Sequence, residues 1–146
     1  MTSPERRISV PANLDRLAEV RRFVREVAAA AGAAPSTVDD VVQAVDEAAT
    51  NVIAHGYAGS PGPVDVAIVA DGDRLVVRVQ DRAPAFDPTA LPRPDMGVPA
   101  LVRGPRGMGI RLMRLAMDDL DYERREDGGN TLLMTRSLAA RPEEDR

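Results

Sequence analysis

Apolar positions recur with two different periods along this chain, and the switches between them outline its elements. Arg7-Ile8-Ser9-Val10 alternates as a short strand does. Asn13 or Asp15 can cap a helix in which Leu14, Leu17, Val20, Phe23, Val24 and Val27 share one face and which Gly32 ends. Pro35-Ser36 restarts the helical pattern, with Ser36 and Asp39 at capping-box spacing. The second helix carries Val38, Val41, Val42, Val45, Ala49, Val52 and Ile53 on one stripe and runs to His55-Gly56. Beyond the turn-rich Gly59-Ser60-Pro61-Gly62-Pro63 the period becomes two. Val64, Val66 and Ile68 alternate out, Asp71-Gly72-Asp73 marks a hairpin, and Leu75, Val77 and Val79 alternate back to a strand end at Asp81.

Residues 82 to about 105 show neither period and hold six of the twelve prolines, so they read as a long functional loop. Gly107-Met108-Gly109 opens a third helix with Ile110, Leu112, Met113, Leu115 and Ala116. A second hairpin follows, from Leu120–Glu126 to Thr131–Leu138 across Asp127-Gly128-Gly129-Asn130. The order β-α-α-β-β-loop-α-β-β predicts an α+β fold, a two-layer sandwich whose mixed, mostly antiparallel sheet carries its helices on one face. Residues 1–138 read as a single domain and 139–146 as a flexible charged tail.

Composition narrows the chemistry. All nineteen basic residues are Arg; Lys, Cys and Trp are absent, and His55 stands alone. A P-loop nucleotide site and Schiff-base chemistry need Lys, and thiol catalysis or cysteine-bound zinc needs Cys. A Ser-His-Asp hydrolase would depend on His55 alone. Net charge is −4 with no long basic tract, which gives no sign of a nucleic-acid surface. The start is polar and no apolar run approaches the ~20 residues that span a bilayer, so a cytoplasmic protein without membrane contact is expected.

Three features carry candidate chemistry. Glu47, Asn51 and His55 fall at i, i+4 and i+8 on the second helix, a ridge turned away from the valine stripe and flanked by the small Ala44, Ala48 and Ala54. Such a ridge is ordinarily a solvated polar face. A carboxylate beside a carboxamide also suits metal-dependent phosphoryl transfer, since Asn offers a neutral oxygen to Mg²⁺ and Glu can act as base. Gly107-Met108-Gly109 lets backbone approach an anion at a helix N-terminus, with Arg103 and Arg106 upstream, or simply shapes a helix entry. Asp81, at a strand end, either starts a turn or holds a carboxylate for the exocyclic amine of adenine.

In this order and spacing the three resemble a known set. Val45-Asp46-Glu47-Ala48-Ala49-Thr50-Asn51-Val52-Ile53-Ala54-His55-Gly56-Tyr57 resembles the N-box of the GHKL ATPase superfamily, in the form seen in the anti-sigma-factor serine/threonine kinases of bacterial partner-switching systems. Val79 to Pro88 stands where the first glycine box does, Arg106 to Met113 matches the second, and Gly129-Asn130-Thr131 is similar to the late G-x-T. The resemblance spans residues 7 to 138. It implies a GHKL-type ATP-binding sandwich, with nucleotide between the helical layer and a lid formed by the proline-rich loop. It also implies a role for each matching residue. Glu47 would be the catalytic base and Asn51 the Mg²⁺ ligand. Asp81 would take adenine, with Thr131 supporting it, and Arg106, Gly107, Met108 and Gly109 would cradle the phosphates of ATP. The implied partners are a STAS-type anti-anti-sigma antagonist, phosphorylated on Ser or Thr, and a sigma factor; a homodimer is expected, with no direct nucleic-acid contact.

One position departs from the pattern: Ala83 stands where the first glycine box has glycine. Two readings follow, a Mg-ATP-dependent kinase acting as an anti-sigma factor, and a weakly active or inactive module that acts by holding a partner. With no Lys, any side-chain cation near the phosphates must be an arginine, and Arg103, Arg106 and Arg111 are in reach.

Overall fold

The computed structural model describes residues 2–84 and 110–142; the readings made on residues 85–109 and 143–146 lie outside the described residues. Strand β1 (Arg6–Pro11) leads through a 3-10 turn (Leu14–Arg16) into α1 (Leu17–Ala30) and α2 (Pro35–Asn51). A π-helical segment, Val52–Tyr57, continues α2. Strands β2 (Pro63–Asp71) and β3 (Arg74–Asp81) follow, then a third helix at residues 110–116, then β4 (Asp119–Arg124) and β5 (Asn130–Ser137).

The strands form one sheet in the order β1-β2-β3-β5-β4, and each of its pairings is antiparallel. The α+β architecture is the expected one, and the sheet is antiparallel throughout the described residues rather than mixed. The period-two positions explain the layering. Val64, Val66, Ile68, Leu75, Val77, Val79, Leu132 and Met134 are buried against one helical layer. Into that face α1 sends Leu17, Val20, Val24 and Val27, and α2 sends Val38, Val41, Val42 and Val45. Burial of side chains of this size contributes roughly 1.5–3 kcal/mol each before chain entropy is counted.

Local chemistry moves several boundaries. Asn13 caps the 3-10 turn by accepting from the Asp15 N–H at 2.9 Å, so the regular helix starts later, at Leu17. On α2 the expected Ser36 cap gives way to Pro35 at the first helical turn, after extended Ala34. Proline's fixed φ suits that position, and the Val38 N–H already bonds Ala34 O at 2.9 Å. In the second hairpin the turn ends earlier than the residue types suggest. Gly128 and Gly129 take positive φ, and Asn130 is the first residue of β5.

Arg136, on the core-facing side of β5, is fully buried. It reaches Asp40 of α2 at 2.8 Å, Thr37 Oγ1 at 3.3 Å and Asp118 at 3.8 Å. Beyond β5 the chain stays docked: Leu138 O accepts from Ala34 N–H at 2.9 Å, and Arg141 reaches Asp118 at 3.0 Å and Ala116 O at 3.3 Å. No described helix is long and apolar enough to cross a membrane.

Candidate functional site

A pocket opens where α2 ends above the ends of β3 and β5, lined by Ala48, Asn51, Val52, Val79, Asp81, Tyr122, Asn130 and Leu132. Asn51 enters it as the last residue of α2, and Asp81 as the last residue of β3. Asn130 lies directly across the ladder from Asp81, so both side chains point to the helical face. The ridge expected on α2 is therefore not a uniform surface. Asn51 is only 4 % exposed, while His55 is exposed and Glu47 is half-buried one turn before Asn51. Ala44 and Ala48, read as an open flank, are buried in the core instead. The cause is packing: α2 is gripped by α1 on one side and the sheet on the other, which leaves little of it free.

Polar satisfaction separates the residues of the pocket. The Asn51 amide nitrogen is buried without a hydrogen-bond partner among the described residues. Burying such a group unpaired costs roughly 1–3 kcal/mol, which is tolerable where a ligand completes the site. A carboxamide can turn either end toward that ligand, so Asn51 fits an Mg²⁺ ion held mainly by phosphate oxygens and water. Among the described residues no group of three or more His, Asp or Glu side chains is placed to hold a metal by itself.

Asp81, 3 % exposed, is held differently. Its Oδ1 accepts from the Ala83 N–H at 2.8 Å and from Asn130 Nδ2 at 2.8 Å. Burial pushes the Asp81 carboxyl above its ordinary range, and the hydrogen bonds from Asn130 and Ala83 with the charge of Arg125 oppose that shift without cancelling it. Ala83 itself is unstrained: its φ is not positive, and it is buried beside Gly56, where an added Cβ would lie 3.3 Å from its own. Tyr57, last residue of the π-helical segment, ties this region down. Its hydroxyl donates to Pro63 O at 2.6 Å and accepts from the Arg82 N–H at 2.8 Å. A side chain at Gly62 would strike the Tyr57 ring at 2.2 Å, so the close approach depends on glycine there.

Glu47 is not among the lining residues, but its carboxyl is raised by burial and then by the neighbouring Asp46. That direction moves a carboxylate toward the range useful to a base near neutral pH.

Asn51 and Asp81 thus come together in one pocket. Thr131 does not join them: strand alternation turns it to the other face of the sheet, where its Oγ1 accepts from Gln80 Nε2 at 3.1 Å. Arg111 is exposed on the third helix, and Arg103, Arg106, Gly107, Met108 and Gly109 lie outside the described residues. Sequence reasoning missed Asn130 and Tyr122. The alternation of Leu132 and Met134, carried two residues back, points to Asn130; the D-G-G-N composition of the turn masks it.

Residues 10–136 match the family described as the histidine kinase-like ATPase domain. The chain belongs to the histidine kinase-like ATPase family. Within that family it groups with the anti-sigma-factor kinases, as its motifs implied. A serine-protein kinase RsbW of Bacillus cereus (strain ATCC 10987 / NRS 248) is 30% identical over 135 residues, which cover 90% of this chain and 83% of the relative. The serine-protein kinase RsbW of Bacillus thuringiensis (strain Al Hakam) is 29% identical over the same length. In three dimensions the crystal structure of the RsbU and RsbW domains of a Mycobacterium tuberculosis protein aligns with a TM-score of 0.66 at 22% identity. That alignment covers 93% of this chain and 32% of the larger one, and it supports the histidine kinase-like ATPase fold alone.

Proposed function

We propose that this chain is a Mg-ATP-dependent protein serine/threonine kinase that acts as an anti-sigma factor. It phosphorylates a STAS-type anti-anti-sigma antagonist on a hydroxyl and otherwise sequesters a sigma factor, as a cytoplasmic homodimer. The single observation that carries this reading is the buried amide of Asn51, unpartnered among the described residues, in the same pocket as the buried carboxylate of Asp81. The names of the RsbW relatives support the reaction class.

Each residue then has one task. Asp81 accepts the exocyclic amine of adenine. Asn51 turns its carboxamide oxygen to the metal. Glu47 takes the proton from the attacking hydroxyl, which its raised pKa suits. When bound, Mg²⁺ supplies neutralisation of charge on the phosphates. Ala83 argues little against activity, because its N–H serves Asp81 and its backbone is relaxed.

The test is incubation with radiolabelled ATP, Mg²⁺ and candidate antagonists, read as phosphoserine or phosphothreonine. Glu47→Gln should lower transfer by about 10²-fold or more and leave ATP affinity within about twofold of the parent. Transfer at the parental rate would remove Glu47 from the role. A parent protein that binds no ATP with Mg²⁺ in calorimetry would sink the whole reading.

A further inference from the structure

Asn130 is the most heavily committed polar side chain of the pocket. Its Nδ2 faces three acceptors, Asp81 Oδ1 at 2.8 Å, Pro84 O at 3.1 Å and Ala83 O at 3.3 Å. Its Oδ1 accepts from the Tyr122 hydroxyl. This pattern sets the amide one way round, since the opposite orientation would press an oxygen against three oxygens. The Ala83 N–H and Asn130 Nδ2 both donate to Oδ1 of Asp81, and the Asn130 backbone N–H adds one further bond to the carboxylate, so that among the described residues Oδ2 is the less engaged oxygen. The Tyr122–Asn130–Asp81 chain thus runs from edge strand β4 through β5 to β3 and ends at the pocket.

We propose that Asn130 is a positioning residue for purine recognition: held by the Tyr122 hydroxyl, its carboxamide fixes the Asp81 carboxylate so that Oδ2 accepts the 6-amino group of adenine and repels the 6-oxo group of guanine. The inference rests on the nucleotide-binding reading given above and adds to it the residues that set base selectivity. The same amide bonds to Ala83 O and Pro84 O, so the backbone just beyond Asp81 is held with the carboxylate. Discrimination built this way is strong, because the wrong base leaves a buried acceptor facing another acceptor. Loss of Asn130 frees the Asp81 carboxylate to rotate and to take its missing hydrogen bond from water.

The experiment is calorimetry of the full chain with Mg-ATP and Mg-GTP, for the parent, Asn130→Ala and Tyr122→Phe, with melting curves to check folding. The parent should prefer ATP. In folded Asn130→Ala the ATP dissociation constant should rise about tenfold or more while that for GTP changes little, so the ATP-to-GTP preference collapses. In transfer assays KM for ATP should rise with kcat at saturating ATP nearly unchanged. Tyr122→Phe, which removes only the hydroxyl, should reduce the preference in the same sense by a smaller factor. A folded Asn130→Ala that keeps the parental preference overturns the proposal and leaves the kinase reading standing. Equal parental affinity for the two nucleotides does the same. If Asn130→Ala does not fold, Tyr122→Phe decides: parental selectivity overturns the proposal, reduced selectivity supports it. A parent that binds neither nucleotide overturns this proposal together with the kinase reading.

Discussion

Asp81 is a carboxylate kept where its charge is disfavoured. Its folded pKa is raised, so the native state holds the proton more readily than the unfolded chain. The resulting contribution to stability is fully present below the ordinary carboxylate range of about 4 and is lost as pH rises through the raised folded value. At neutral pH the ionised group therefore opposes folding. Asp81→Asn keeps an oxygen for the Ala83 N–H and Asn130 Nδ2 but removes the charge. The nucleotide-free variant should melt at or above the parental temperature at pH 7, while ATP affinity falls about tenfold or more. Differential scanning calorimetry with and without ATP reads both quantities, and a variant that melts several degrees lower would show that the charge itself stabilises the fold. At this scale much was legible in sequence. Asn51 and Asp81 stand in distinctive surroundings, one on a helix with a carboxylate a turn away, the other closing an alternating strand. Asn130 was not, because its residue type is as common in turns as its role here is rare. Thr131 stands one residue beyond Asn130, which in a strand means the opposite face.

Among the elements, the β4–β5 turn shows why hairpins are easier to foresee than their registers. Two adjacent glycines announce a turn, but only the observed φ values of +89° at Gly128 and +100° at Gly129 say where the strand resumes. The two glycines are not equivalent. A Cβ on Gly128 meets nothing within 4 Å, whereas one on Gly129 would lie 2.0 Å from Asp81 O and 2.8 Å from Arg82 Cα. Gly128→Ala should cost about 1 kcal/mol through backbone strain alone. Gly129→Ala should cost about 2–4 kcal/mol and weaken ATP binding as well, because the clash displaces the backbone of Asp81. Urea unfolding of the two variants side by side tests the contrast; equal losses would mean that the close approach is relaxed at little cost. The end of α2 was legible in outline only. Periodicity carries a helix to His55-Gly56, yet nothing in it announces the wider π-helical turns from Val52 to Tyr57. Those turns follow Asn51 directly, and there the line of Glu47, Asn51 and His55 divides into a half-buried, a buried and an exposed side chain.

Across the whole molecule, Arg136 joins the two layers. It lies on β5, pairs with Asp40 on α2 and reaches Asp118 just before β4, where Arg141 also arrives. Burial works against the Asp118 charge, but the Ser137 N–H, Arg141 and Arg136 outweigh it and hold its carboxyl below the usual range. A lowered folded pKa contributes stability above the ordinary value near 4, and that contribution is lost as pH falls through the folded pKa. Asp118→Asn should therefore lower the denaturant midpoint at pH 7, and the difference should shrink as pH falls through the lowered folded value. A gap between variant and parent that persists undiminished at acid pH would show that Asp118 acts through its shape and not its charge. No sequence pattern reveals this junction, because its members lie far apart in the chain and only the strand order brings them together.

Among the described residues that strand order leaves β4 as an outer edge, with Asp119, Asp121 and Glu123 exposed at alternate positions. An uncovered edge is a template on which further chains can pair and grow into aggregates. On this one, a second copy adding antiparallel through its own β4 would set carboxylate against carboxylate across the new ladder, an arrangement that disfavours pairing. The acidic row thus works against further pairing along the same edge that supplies Tyr122 to the pocket.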